Sequence, residues 1–198
     1  MGKLKTIYLA LLNRRDKIVR KEEIIEIVEE YNRKLNKVSI KNALWYLSRR
    51  NYVRRIFLDY YYINSIEERE MDKSNYEDRE VLFEVLNKEK INWYVGLTSA
   101  SYASGEIWQV PNVPIIINDK ISGERRVFGL KVKFIKIKKG LIFGLVSKKT
   151  KKGITYFYSD VQKTNLDFVY LREHNKLIKD KKTMLYIKRY PKWLQKLI

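Results

Sequence analysis

The 198-residue chain has no cysteine and a single histidine, His174. The first absence excludes disulfides, zinc fingers, iron–sulfur clusters and thiol catalysis. The second excludes a multi-histidine metal site and leaves His174, set among Arg172, Glu173 and Asn175, reading as a surface residue. Glycine occurs eight times and proline three, and no glycine-rich phosphate loop is among them. No apolar run approaches the roughly 20 residues that cross a bilayer. No signal-peptide pattern opens the chain, so a soluble, cytoplasmic protein without a membrane partner is expected.

What the chain does have is apolar residues and positive charge. At 45% apolar it can build real cores, so disorder is not the default. Lys and Arg number 42 against 23 Asp and Glu, a net charge of +19. Such a field draws polyanions, either nucleic acid or an anionic membrane surface. The plentiful Lys, Glu, Ile and Tyr also fit a thermophile's composition.

The two halves differ in kind. Before Asn75 stand 17 basic and 11 acidic residues, a net of +6; from there on stand 25 and 12, a net of +13. The first half has one glycine, no proline and helical apolar spacing, while the second holds most of the alternating stretches. Between them lies the charged run Ile66–Asn75, readable either as a solvated linker or as the start of a connecting helix. The expectation is an α+β protein of two domains. Residues 1–70 would form a winged helix-turn-helix, and 76–198 a mixed α/β domain with an antiparallel sheet.

In the first half Leu4, Ile7, Tyr8, Leu11 and Leu12 follow the i, i+3, i+4, i+7 pattern of an amphipathic helix that ends at Asn13–Asp16. A second helix begins near Lys21, with Glu22 and Glu23 in its first turn, where the helix dipole favours acids. Ser39 reads as the N-cap of a third helix running to about Arg50. At 100° per residue Ile40, Ala43, Leu44 and Leu47 share one face. Asn42, Trp45 and Arg49 share the other, flanked by Lys41 and Tyr46. That polar face carries the chemistry that reads a DNA major groove: Asn pairs two-pronged with adenine, Arg with guanine, and Lys reaches guanine or phosphate. Trp45 fits either a DNA contact or the edge of the core. Two β-prone runs, Asn51–Phe57 and Tyr60–Ile63, then make a hairpin whose Arg54 and Arg55 suit phosphates. Three helices followed by a basic hairpin describe a winged helix-turn-helix with double-stranded DNA as its partner, Ser39, Lys41, Asn42, Trp45, Tyr46, Arg49, Arg50, Arg54 and Arg55 as contacts, and dimerisation on DNA an open possibility.

In the second half a helix is expected over Glu77–Lys88. The small residues Ser99, Ala100, Ala103 and Ser104 suit a helix that approaches its neighbour closely. Strands are expected at Pro114–Ile117, Val127–Lys138, Leu141–Val146 and Ile154–Tyr158, the last three as an antiparallel meander with a bulge at Phe134–Ile135. Ser159–Gln162 has the capping-box pattern of a further helix. A last helical region covers Lys181–Lys196, interrupted at Tyr190–Pro191. Lys131, Lys133, Lys136 and Lys138, with the lysine-rich turn at 148–152, fit two readings: a solvated edge that resists aggregation, or a second contact with the DNA backbone.

Three stretches carry a resemblance: Trp93-Tyr-Val-Gly-Leu-Thr-Ser-Ala100, Phe143-Gly144, and Ser159-Asp-Val-Gln-Lys-Thr-Asn-Leu-Asp-Phe-Val-Tyr170. They resemble the second domain of AbiEi-type antitoxins, which also begin with a winged helix-turn-helix. The resemblance implies a regulator that represses its own operon and counteracts a nucleotidyltransferase toxin, with or without direct contact.

Catalysis and cofactors are not expected. A metal-dependent nuclease, the enzyme alternative for so basic a chain, needs convergent carboxylates near a lysine. The nearest pattern is Asp180-Lys-Lys182, in a lysine-rich helical stretch. Asp160 and Asp167 read as a helix start and a structural hydrogen-bond partner. Non-specific nucleic-acid binding is the other alternative.

Overall fold

A computed structural model describes residues 3–31, 37–173, 177 and 179–197, with backbone alone for Lys3 and residues 37–39. The protein is mixed α/β and divides into two units, Met1–Val85 and Leu86–Ile198. His174 lies outside the described residues.

The first unit runs α1 (Lys3–Leu12), β1 (Ile18–Arg20), α2 (Lys21–Tyr31), α3 (Lys37–Arg49), β2 (Val53–Arg55), β3 (Tyr60–Ile63) and α4 (Ile66–Met71). The apolar stripes of its three long helices meet in one core, where Ile7, Tyr8, Leu11, Ile24, Val28, Leu44 and Leu47 pack with Val19, Val53 and Ile63 from the strands. Each such fully buried aliphatic side chain contributes about 1.5–3 kcal/mol. The expected hairpin is present as β2–β3. Its turn places Leu58 and Asp59 in the left-handed region (φ 50° and 60°), and Tyr60 N–H donates to the Phe57 carbonyl at 3.0 Å. Two consecutive left-handed residues give the turn the twist that paired strands require. The expected hairpin omitted a third strand. β1 pairs antiparallel with β3, giving the order β1-β3-β2. Three residues are too few to show alternation, and pairing supplies what local pattern cannot. Ser39 is also corrected: α3 begins at Lys37, so Ser39 stands inside its first turn and not at the cap.

The charged run after β3 is a helix of the first unit and not a linker. Ser65 caps α4 in a full capping box with Glu68. Glu68, buried, accepts hydrogen bonds from Lys17 Nζ (2.8 Å), Tyr62 Oη (2.5 Å), Ser65 N (2.7 Å) and Asn75 N (2.7 Å). Arg69 lies over the Tyr52 ring at 4.3 Å, and Tyr52 stacks on Tyr8 at 4.1 Å. These contacts hold α4 to the core and carry the first unit past residue 70.

The division falls within α5 (Asp78–Lys88). The second unit continues with β4 (Trp93–Val95), α6 (Thr98–Ser104), β5 (Ile115–Asn118), β6 (Gly123–Val127), β7 (Leu130–Lys136), β8 (Leu145–Lys149), β9 (Thr155–Ser159), α7 (Val161–Tyr170), α8 (Lys181–Tyr186) and α9 (Lys192–Gln195). Its six-stranded sheet has the order β6-β7-β5-β4-β9-β8. This corrects the expected antiparallel meander. β5 runs parallel to β7 because β6 takes the edge and β7 folds back between it and β5, and β4 runs parallel to β9 because the chain leaves β7 through a 3-10 turn at Lys139–Leu141 and re-enters at the opposite edge. β7 pairs without interruption on both sides, so Phe134–Ile135 is no bulge; an internal strand carries apolar residues on both faces. Phe143-Gly144 precedes β8, with Gly144 at φ 63°. A Cβ there would come within 2.8 Å of the Tyr186 ring and 3.1 Å of Lys163 Cβ, so only glycine lets the chain pass so close to α7. Asp160, not Ser159, caps α7, accepting from Lys163 N at 2.9 Å. The expected interruption of the C-terminal helix at Tyr190–Pro191 is present, with α8 and a 3-10 turn before it and α9 after it.

Burial by itself would raise the Glu68 pKa. The bonds from Lys17, Ser65, Tyr62 and Asn75 outweigh it and hold the carboxyl down from 4.5 to about 2. A folded-state pKa below the unfolded one stabilises the fold above the unfolded pKa and stops doing so as pH falls through the folded one. The first unit therefore gains about 3 kcal/mol from Glu68 near neutrality, lost progressively between pH 4.5 and 2. In urea unfolding across that range, Glu68→Gln should be markedly weaker than wild type at pH 6, with the gap closing toward pH 2. A gap that stays constant with pH would refute this role for the ionised carboxylate.

Candidate nucleic-acid interface

Burial sorts the residues of α3. Leu44 and Leu47 are buried and Ile40 and Ala43 half-buried, while Lys41, Asn42, Trp45, Tyr46 and Arg49 are exposed, as is Arg50 just past the helix. The structure thus brings Lys41, Asn42, Trp45, Tyr46 and Arg49 together on one solvent face, three and four residues apart. Trp45 is 52% exposed and so does not cap the core edge. The Arg49 guanidinium lies 5.2 Å from the Trp45 ring centroid, and Tyr46 meets that ring edge-on at 4.8 Å. This stacking restrains the arginine without using up its planar fork of N–H donors, which stays free for a bidentate acceptor. The Ser39 side chain is outside the described residues.

Arg54 and Arg55 occupy successive positions of β2 and therefore point to opposite faces. Arg55 is exposed, with an ion pair to Asp59 across the turn at 3.3 Å, and Arg54 is half-buried. Only Arg55 has the open setting expected of a wing residue. Arg20 adds a cation at the other edge of the sheet, donating to Tyr60 Oη at 2.9 Å.

The lysines of the second unit do not form one row. β7 lies inside the sheet, so edge protection does not explain them. Lys131 and Lys133 share one face and meet carboxylates, Lys131 with Glu124 at 2.8 Å and Lys133 with Glu173 at 3.6 Å. Lys136 is on the opposite face, and Lys138 follows the strand. Two of the four lysines expected at this strand as a backbone contact already face a carboxylate.

The second unit holds one group that the sequence reading missed. Lys163 on α7 is fully buried, and its Nζ donates to Tyr94 Oη (2.9 Å), Tyr190 Oη (2.8 Å) and the carboxylate of Asp167, one turn later. Tyr94 in turn donates to Asp167 Oδ2 and Tyr190 to Oδ1, both at 2.7 Å. The ammonium has three N–H bonds and three partners, and its Nζ lies 5.0–5.2 Å from the rings of Tyr94, Phe143 and Tyr190. Burial pushes the Lys163 pKa down, with Asp167 partly offsetting it; burial and Asp167 push both tyrosines up. A lysine of lowered pKa suits nucleophilic chemistry only where a substrate can reach it, and this one has no exposed surface. The closed network is structural. Its sequence signal was the i, i+4 spacing of Lys163 and Asp167.

Other carboxylates are occupied likewise. Asp180 caps α8, accepting from Thr183 N at 2.7 Å, and Asp160 pairs with Lys182 at 3.0 Å. Among the described residues no group of three His, Asp or Glu side chains could hold a metal ion, and no helix is long and apolar enough to cross a membrane. No family model matches the chain, and no curated protein matches it.

Removing one member of a buried ion pair strands the other and costs about 3–5 kcal/mol. Asp167→Leu and Lys163→Met should each destabilise the second unit by that order. The double variant Lys163→Met, Asp167→Leu, which buries neither charge, should lose less than either single change. A double-mutant cycle in urea measures the coupling, and additive losses would mean the two charges do not support each other.

Proposed function

We propose that this protein is a double-stranded-DNA-binding transcriptional regulator whose first unit acts as a winged helix-turn-helix. The observation that carries the reading is the exposed face of α3. It offers Lys41, Asn42, Trp45, Tyr46 and Arg49 together, on a helix whose other face is anchored by Leu44 and Leu47. The order α1-β1-α2-α3-β2-β3 supports it, since a three-stranded sheet behind the third helix leaves that helix free to enter a major groove. In this reading Asn42 and Arg49 contact base edges, while Lys41, Arg50 and Arg55 hold phosphates. The net charge of +19 supplies the attraction. The chain acts by binding and not by catalysis.

The resemblance of the second half to AbiEi-type antitoxins extends the proposal to autorepression of an operon shared with a nucleotidyltransferase toxin. The residues behind that resemblance include Tyr94, Gly144, Lys163 and Asp167, all in or beside the buried network. They support a shared fold of the second unit more directly than a shared partner.

DNA from upstream of the protein's own gene, compared with random duplex of equal length, tests the reading. Neutralising about five phosphates gives log K against log salt a slope of roughly −4 to −5. Asn42→Ala or Arg49→Ala should cost about 1–3 kcal/mol on the preferred site and little on random duplex. Arg55→Ala should weaken both alike. Equal losses on both duplexes for Asn42 and Arg49 would leave a non-specific nucleic-acid-binding protein instead.

A further inference from the structure

The second unit contains a cavity of about 320 Å³ that neither the α3 face nor the buried Lys163 network uses. Ile91, Trp93, Ile142, Leu145 and Phe157 give it apolar walls, and the exposed carboxamide of Asn87 lines it as well. An apolar cleft with a few fixed polar groups is the usual make-up of a small-molecule site.

We propose that this cavity binds an adenine nucleotide, with the base stacked on Phe157 and paired with Asn87, and the phosphate at Lys149. The site lies wholly in the second unit and does not depend on the DNA-binding reading of α3.

Asn87 is held from two sides. Its Oδ1 accepts from Trp93 Nε1 at 3.1 Å, and its Nδ2 donates to the Thr155 carbonyl at 2.9 Å. A carboxamide has two N–H donors and two oxygen lone pairs. Among the described residues one of each is therefore left over, on a group whose orientation is already fixed. A fixed donor beside a fixed acceptor matches N7 and the N6 amino group of adenine, the pairing that asparagine makes with that base. An amide that only tied α5 to the sheet would be covered by the chain, whereas Asn87 is exposed and lines the cavity. The Phe157 side chain is 37% exposed, a ring left partly uncovered beside the same space, and a stacked base would cover it. Leu145, Ser147 and Lys149 alternate along β8 and share one face of the hairpin with Thr155 and Phe157 of β9. Lys149, exposed, lies directly opposite Thr155, whose carbonyl fixes Asn87, so its side chain leaves the sheet on the cavity's side. An ammonium there suits a phosphate, which it meets as a point charge without demanding one orientation. The volume is at the small end of the range for ligand sites, which suits one purine ring system with its ribose and phosphate outside.

Calorimetric titration of the full-length chain with adenosine 5′-monophosphate tests the assignment, and saturable binding at one site per chain is expected. Adenosine, which lacks the phosphate, should bind about tenfold more weakly, the loss of one hydrogen bond between charged groups. In Lys149→Gln the nucleotide and adenosine should bind equally, because the phosphate has no cation left to meet. Purine riboside 5′-monophosphate, which lacks the 6-amino donor, should bind the wild type several-fold more weakly than the adenine nucleotide, since the Asn87 oxygen loses its partner. Ile142→Trp, which fills the cavity, should abolish binding, with an unchanged unfolding temperature showing the variant folded. Lys149→Gln alters an exposed position and decides the case whatever Ile142→Trp does to folding. No binding of the nucleotide would overturn the proposal, as would a preference for nucleotide over adenosine that persists in Lys149→Gln. Equal affinity for the two purine nucleotides would remove Asn87 from the site and overturn it too. Binding that survives in folded Ile142→Trp and falls with Asn42→Ala would place the nucleotide on α3 instead. No arm contains DNA, so failure here leaves the DNA-binding reading standing.

Discussion

An ammonium that has lost all its water must recover every hydrogen bond from protein, and Lys163 imposes that condition on the second unit. Asp167 lies one turn along α7, but the other two partners come from distant parts of the chain: Tyr94 on β4 and Tyr190 between α8 and α9. Meeting the condition fixes where β4, α7 and the C-terminal helices stand relative to one another. It also forces the glycine at 144, since any side chain there would strike Lys163 or Tyr186. The first unit has a counterpart of opposite sign. Glu68 collects donors from Lys17, Tyr62, Ser65 and Asn75 and so joins the approach to β1, the end of β3 and the cap of α4. In each unit a buried charge does what apolar packing does poorly. It specifies one arrangement among many of similar hydrophobic area, because alternatives leave the charge unpaired.

This organisation bears on what the sequence could disclose. The helices of the first unit were legible because Leu4, Ile7, Tyr8 and Leu11 or Ile40, Leu44 and Leu47 repeat at 3.6-residue spacing over long enough windows. The exposed face of α3 followed from the same periodicity. β1 was not legible, having three residues and no pattern beyond its partner. The sheet order of the second unit was hidden for a different reason. Neighbouring strands in sequence suggest a meander, and only the 3-10 turn at Lys139–Leu141 and the passage through Gly144 carry the chain to the far edge. Lysines were the least legible residues of all. Lys163, Lys131 and Lys148 look alike in sequence, yet one is a buried structural cation, one an ion-paired surface residue and one a free-standing charge on a hairpin. Their partners, Asp167, Glu124 and the Ala103 carbonyl, lie at separations from four residues to 45.

That distinction changes how the charge of +19 is read. Net charge measures the field felt by a distant polyanion, and in that field every lysine counts equally. At contact they do not count equally, because a cation already facing a carboxylate gives up one partner to gain another. The positions at which positive charge meets no acid nearby in the chain are therefore the ones to weigh for binding. Among the described residues the α3 face of the first unit is such a place. The α3 face pairs its cations with Asn42 and with aromatic rings, groups that distinguish one base edge or one groove shape from another. In the proposed reading that face would supply selectivity, while the remaining positive charge would favour all DNA equally. Attraction of the second kind can be strong without eroding the first, since contacts that favour all DNA equally leave the ratio between the right site and the wrong one unchanged.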